Sequence, residues 1–150
     1  MKPVKTPCIG ICSTTSFGDL VCRGCKRYGF EVIRWNIYDN EAKRAVLKRL
    51  EALQSQLYGE KLNIVSQEKL KAGLVGLGTG FDESLSPWCW VHSLFTKNHR
   101  QIRNLADFGL EARGKFAALS IARLTATLDD ELLALSEAHY ERYYSLGEQV

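Results

Sequence analysis

Four of the five cysteines lie within eighteen residues, in the pattern Cys8-x3-Cys12-x9-Cys22-x2-Cys25. Cysteine thiolates are strong ligands for soft metals, and four of them suit either tetrahedral zinc or a [4Fe–4S] cluster. The glycine before Cys25 permits a tight turn, and backbone N–H groups in such a turn can donate hydrogen bonds to ligand sulfurs. The spacing therefore predicts a metal centre on these four cysteines, and it leaves zinc and iron–sulfur both open.

A disulfide framework is the alternative use of these cysteines. Disulfides persist in oxidising compartments, but the start of the chain, MKPVKTPCIG, has no apolar signal segment. The fifth cysteine, Cys89, also makes the count odd. We therefore expect a cytoplasmic protein with reduced thiols, in which Arg23, Lys26 and Arg27 balance the charge of the ligands.

A family resemblance rests on four runs of residues in order: PCIGIC, CRGCKR, EVIRW and EAKRAVLKRL. Over about residues 6–50 they resemble a small bacterial family, domain-of-unknown-function family 1289, whose members are described as predicted iron–sulfur proteins. The resemblance implies iron–sulfur as the cofactor, and the chain departs from the family pattern at Tyr28-Gly29-Phe30. The positions that match the pattern are Cys8, Gly10, Cys12, Cys22, Gly24, Cys25, Arg27, Glu31, Trp35, Arg44 and Val46.

The elements that must position the cysteines are helical in pattern. Residues 31–35 form a short apolar segment of one or two helical turns. Apolar residues then recur every three or four positions from Ala42 to Leu57, which predicts an amphipathic helix capped by Asp39 or Asn40 and ended by Gly59. Residues 1–59 are thus predicted to form a cysteine-rich metal-binding module with one amphipathic helix.

The rest of the chain is predicted as a Gly-rich connector, residues 60–86, and a helical domain, residues 87–150. Within the connector, Ser66 is a candidate helix cap. Ser86 and Pro87 predict the start of a helix, and Thr127 with Asp130 resembles a capping box at the start of the last helix. The expected fold class is mainly α, with a small N-terminal cysteine metal knuckle followed by a helical bundle.

Cys89 and His92 are the second set of residues with possible chemistry. On the predicted helix they are three residues apart and share a face, as a thiol nucleophile with its base or two metal ligands would. No third ligand or orienting acid is evident beside them, so we interpret them as a buried thiol and a hydrogen-bonded histidine.

Charge distribution bears on the partner. The net charge is +3, but residues 1–50 carry +6 and residues 51–150 carry −3.

No catalytic triad, paired carboxylates or membrane-spanning run is present, so we assign no catalytic residues and expect no membrane partner. We expect a non-enzymatic iron–sulfur accessory protein for redox, sensing or cluster delivery to a protein partner. The alternative is a zinc-stabilised adaptor that binds nucleic acid or an acidic protein through Arg23, Lys26, Arg27, Lys43, Arg44, Lys48 and Arg49.

Overall fold

The computed structural model describes residues 4–10 and 12–144. Within these residues the chain forms six α-helices and one two-stranded antiparallel sheet, which confirms the mainly α fold class. The helices are α1 (Ser13–Phe17), α2 (Gly29–Arg34), α3 (Asn40–Lys61), α4 (Gln67–Gly76), α5 (Pro87–Asn98) and α6 (Ile121–Tyr143), and the strands are β1 (Leu62–Ile64) and β2 (Leu110–Ala112). Short 3₁₀ helices span Trp35–Ile37, His99–Gln101, Leu105–Phe108 and Gly114–Ala118.

The chain folds into two compact units. Unit 1 comprises the described residues of 1–53 and 131–150, and unit 2 comprises residues 54–130. All four cysteines of the N-terminal cluster belong to unit 1. Residues 60–86, which the sequence predicts to be a connector, contain strand β1 and helix α4. The domain boundaries predicted at residues 59 and 87 remain a prediction.

Helix α3 forms where the apolar periodicity predicts it. The Asp39 side chain accepts a hydrogen bond from the backbone N–H of Ala42 at 2.8 Å, so it caps the helix. In unit 1, Val46 and Leu50 pack with the buried indole of Trp35. The helix does not stop at Gly59 as predicted but continues to Lys61. Gly59 therefore lies inside the helix, and a Cβ there would make an ordinary van der Waals contact with the Trp88 indole at 3.7 Å.

Unit 2 is built around the pairing of β1 with β2, in which Asn63 lies opposite Glu111. Helix α4 begins at Ser66, whose hydroxyl accepts a hydrogen bond from the backbone N–H of Lys69, as predicted. Gly73 allows the Phe108 ring to approach α4, because a Cβ there would lie 2.4 Å from the ring. Ser86 caps α5 and Pro87 occupies its first turn, which also confirms the prediction.

The last helix begins earlier than the sequence suggests. Helix α6 starts at Ile121, and the Ser120 hydroxyl accepts a hydrogen bond from the backbone N–H of Arg123 at 3.2 Å. The predicted capping box at Thr127 is therefore wrong, because the Ser120 cap begins the helix about two turns earlier. In the part of the chain that the structure covers, none of the helices combines the length and the apolar character needed to cross a membrane.

Candidate metal centre

The second pair of cysteines lies in a tight loop, residues 21–28, which we call the thiol loop. An antiparallel bridge between Val21 and Tyr28 closes it. Inside, the backbone N–H of Cys22 donates to the carbonyl of Arg27 at 2.8 Å, and the N–H of Lys26 donates to the carbonyl of Cys22 at 2.9 Å. Lys26 has a φ of 67°, in the left-handed region. The chain therefore reverses direction between Cys22 and Arg27.

Both thiols of the loop are buried. Cys22 is 1% exposed and Cys25 is 4% exposed. Burial opposes ionisation of Cys22, but hydrogen bonds from the backbone N–H groups of Cys25, Ser13 and Gly24 and from the Cys25 thiol lower its pKa from 9.0 to about 7. Burial raises the pKa of Cys25, although Arg27 donates to its sulfur. The pair therefore contains one thiol, Cys22, that ionises more readily than an ordinary cysteine, as a ligand thiolate requires.

The first pair of cysteines, Cys8 and Cys12, precedes this loop in the chain. Cys12 is the half-buried residue before α1, and the backbone N–H of the next residue, Ser13, is among the groups that lower the pKa of Cys22. The Ser13 hydroxyl also accepts a hydrogen bond from the backbone N–H of Arg23 at 2.7 Å. The hydrogen bond to Arg23 places Ser13, and with it the backbone of Cys12, beside the thiol loop. Cys8 is exposed, and its sulfur accepts a hydrogen bond from the backbone N–H of Gly10 at 3.4 Å.

The structure brings together only part of the predicted ligand set. Over residues 4–10 and 12–144, no group of three or more His, Cys, Asp or Glu side chains has the arrangement to hold a metal ion. Cys22 and Cys25 interact directly, and neither Cys8 nor Cys12 joins them at ligand distance. The described geometry is thus that of a paired half-site with a third cysteine next to it in the backbone.

Of the three cations predicted to balance ligand charge, one reaches a sulfur. The Arg27 guanidinium donates through Nε to Cys25 Sγ at 3.2 Å and stacks over the Trp35 ring at 4.9 Å. Lys26 is buried and donates through Nζ to the carbonyls of Arg23 and Gly24 inside the loop. Arg23 instead points to solvent, where it pairs with Asp19.

An ion pair supports the thiol loop from α2 and α3. Glu31 is buried, and its carboxylate accepts two hydrogen bonds from Arg49, at 2.6 and 2.7 Å, and a third from the backbone N–H of Tyr28 at 2.8 Å. The Arg49 guanidinium also lies 3.9 Å from the centre of the Tyr28 ring. The sequence gives no local signal for this pairing because the two residues are eighteen positions apart. The arrangement fixes the end of the thiol loop to the long helix.

Aromatic packing explains where the chain departs from the family pattern. Tyr28 is fully buried, and its ring meets the ring of Tyr140 on α6 at 5.2 Å and that of Phe30 at 5.8 Å. Tyr144 lies 5.0 Å from Tyr28. The apolar residues at 28 and 30 therefore face the C-terminal part of α6, which belongs to the same unit.

The predicted basic surface is smaller than the charge count suggests. Lys26, Arg27 and Arg49 make the contacts described above within unit 1, and Lys43 is half-buried with its ammonium 5.7 Å from the Trp35 ring. Arg44 and Lys48 are exposed on α3. Of the four basic residues predicted to form a surface on α3, Arg44 and Lys48 are therefore exposed, whereas Lys43 and Arg49 are not.

Cys89 and His92 lie on α5, as predicted. Cys89 is buried, and the His92 ring meets the buried Tyr58 ring edge-on with centroids 5.7 Å apart. Burial, with the nearby charges of Asp129 and Cys89, raises the pKa of Tyr58. This is an aromatic environment within unit 2, and none of it belongs to the thiol loop.

Comparison with known proteins identifies the segment that carries these features. No curated protein and no solved structure matches the chain. Residues 6–54 match a family model described as a protein of unknown function, DUF1289. This range includes α1, the thiol loop, α2 and most of α3, and it contains Glu31, Trp35 and Arg49. The N-terminal third of the chain therefore matches the family that the residue pattern predicts.

Proposed function

We propose that the DUF1289 segment binds a metal centre through Cys22 and Cys25, with Cys12 and Cys8 completing the ligand set. The observation that carries the proposal is the pair of buried thiols in a tight loop, where the Arg27 guanidinium donates to Cys25 Sγ and polar groups around Cys22, backbone N–H groups among them, lower its pKa to about 7. Such donors stabilise a thiolate and offset the charge that four thiolates bring to a metal. A thiol that only filled a core position would not need them.

Cys12 and Cys8 must move towards the pair to complete the ligand set. Ser13 is hydrogen-bonded to Arg23 of the thiol loop, so Cys12 is the neighbour of a residue that contacts the loop. We propose that rotation about its side-chain torsions turns the Cys12 thiol towards the pair. Cys8 precedes it by four residues in an exposed segment, so its approach requires a change in the backbone between them.

The donor set fits a four-thiolate centre, and we propose that the centre is an iron–sulfur cluster. Such a cluster supplies one-electron transfer when bound. Four protein ligands leave no open coordination position for a substrate, so this site favours a non-enzymatic role over catalysis at the metal. We propose that the protein acts in electron transfer, redox sensing or cluster delivery, with another protein as its partner.

Zinc is the alternative centre for the same ligands. Zinc would make the thiol loop a structural element. The exposed residues Arg44 and Lys48 would then be the candidates for binding an acidic partner. The two centres have the same thiolate chemistry and differ in colour, sulfide content and redox activity. Metal analysis therefore separates them.

The test is the metal content of single Cys→Ser variants purified without oxygen. We expect Cys22→Ser and Cys25→Ser to lose most of the iron, because each removes a buried ligand sulfur, and Cys12→Ser and Cys8→Ser to lose iron as well. Cys89→Ser is the matched control, since Cys89 lies in α5 outside the proposed site, and it should retain the wild-type content. Equal metal content in Cys22→Ser, Cys89→Ser and the wild type would contradict the proposal.

A further inference from the structure

Arg27 is a buried cation with an unusual set of neighbours. Its residue is 3% exposed, its Nε donates to Cys25 Sγ, and its guanidinium covers the Trp35 ring. Within the described ranges, 4–10 and 12–144, no carboxylate forms an ion pair with it. Arg49, in the same unit, shows the contrast, because it has the two oxygens of Glu31.

A guanidinium stays protonated at any physiological pH, so burial without an anion is costly. A neutral thiol and an aromatic ring offset only part of that cost. Metal binding would supply the missing anion, because a coordinating thiol loses its proton. The hydrogen bond from Arg27 to Cys25 would then become a charge-assisted bond, which is about twice as strong as a neutral one.

We infer that Arg27 is the counter-ion of the proposed metal centre, a positioning residue that holds Cys25 in place and sets how tightly the loop binds metal. The inference rests on the proposed function, since it concerns the same two thiols. It assigns different roles to neighbouring cations. Arg27 acts on a ligand, whereas Arg23 lies between the two cysteines in sequence but has a side chain that is 71% exposed and is paired with Asp19.

The test uses Co²⁺ as a coloured probe, added without oxygen to the reduced, metal-free full chain in competition with a chelator. We expect Arg27→Gln to weaken Co²⁺ binding by about ten-fold or more, the range typical for loss of a hydrogen bond to a charged group. The sulfur-to-cobalt absorption band should also move to longer wavelength, because the thiolate loses a stabilising positive charge. Arg27→Lys should recover part of the affinity, since it restores the charge without the planar donor group.

Arg23→Gln is the matched control because it removes the same charge from the same loop at an exposed position. It should bind Co²⁺ within about two-fold of the wild type, as expected for a screened surface charge. Arg27→Met keeps the apolar stem on Trp35 and replaces Arg27→Gln if that variant does not fold by circular dichroism.

The outcomes separate this inference from the proposed function. A wild-type chain that binds no Co²⁺ through Cys22 and Cys25 overturns the metal centre itself. A wild-type chain that binds Co²⁺, together with an Arg27→Gln chain that binds it equally and with an unshifted band, overturns only the role of Arg27. Equal losses in Arg23→Gln and Arg27→Gln also overturn it, since net charge alone would then account for the effect.

Discussion

At the scale of single residues, the thiol loop makes two similar cysteines different. Cys22 receives the backbone donors, and its pKa falls to about 7, while burial raises the pKa of Cys25. The sequence predicts that N–H groups face the sulfurs, and such groups lower the pKa of Cys22. The sequence does not reveal which cysteine they act on, because one of them belongs to Ser13, nine residues before Cys22.

This difference predicts a pH dependence of stability for the reduced, metal-free chain. The pKa of Cys22 is about 7 in the folded state and ordinarily 9.0, so between these values the unfolded chain binds more protons. Cys22 therefore contributes stability that is present above pH 9 and is lost as the pH falls through 7. As the pH rises from 7 to 9, we expect the free energy of unfolding of the wild type to increase relative to that of Cys22→Ser by on the order of 2 kcal/mol.

The measurement is urea unfolding of both chains at several pH values without oxygen. The ultraviolet absorbance of thiolate, followed over the same range, should show a group titrating near pH 7 in the wild type and not in Cys22→Ser. A stability difference that is flat with pH, or one that shrinks as the pH rises, would contradict the account of the Cys22 environment.

At the scale of elements, the DUF1289 segment packs with a helix beyond its own range. Residues 6–54 supply Tyr28 and Phe30, α6 supplies Tyr140, and Tyr144 follows directly after α6. The sequence predicts helix α3 well because its apolar residues repeat with helical spacing over four turns. It does not predict the strands, because β1 and β2 are three residues each and pair Asn63 with Glu111, 48 positions away.

The contact with α6 predicts the effect of removing one aromatic ring. Tyr140→Ala should destabilise the protein by about 3 kcal/mol, because it leaves a cavity beside the buried Tyr28. Tyr143→Ala is the control on the same helix, where the side chain is mostly exposed, and it should change stability by less than about 0.5 kcal/mol. Urea unfolding followed by circular dichroism measures both, and equal effects of the two substitutions would argue against this packing.

Helix α4 offers a second prediction at this scale. Alanine normally stabilises a helix relative to glycine, but a Cβ at Gly73 would lie 2.4 Å from the Phe108 ring. We expect Gly73→Ala to destabilise unit 2 by about 1–3 kcal/mol, the cost of overpacking. Gly76→Ala, on the same helix with open space around it, should be neutral or stabilising by up to about 1 kcal/mol. Thermal unfolding of the two variants measures this difference, and a stabilising Gly73→Ala would contradict it.

At the scale of the whole molecule, the sequence identifies the residues of the candidate site better than it predicts how all four cysteines come together. The spacing of the cysteines and the family pattern identify Cys22 and Cys25, which the structure pairs, and Arg27, which contacts one of them. The sequence does not reveal that Glu31 and Arg49 support the loop, because long-range ion pairs leave no periodic signal. Nor do the described contacts bring Cys8 and Cys12 to the pair, and metal binding is the event that we propose gathers all four.

The most direct measurement is the iron, sulfide and zinc content of the full-length protein purified without oxygen, recorded together with its visible spectrum. We expect a brown protein with iron and sulfide in equal amounts and a broad absorption band near ~400 nm. A colourless protein with one zinc per chain would contradict the iron–sulfur centre and make the thiol loop a structural zinc site. A protein with reduced thiols and no metal would contradict the central claim, that Cys22 and Cys25 form part of a metal centre.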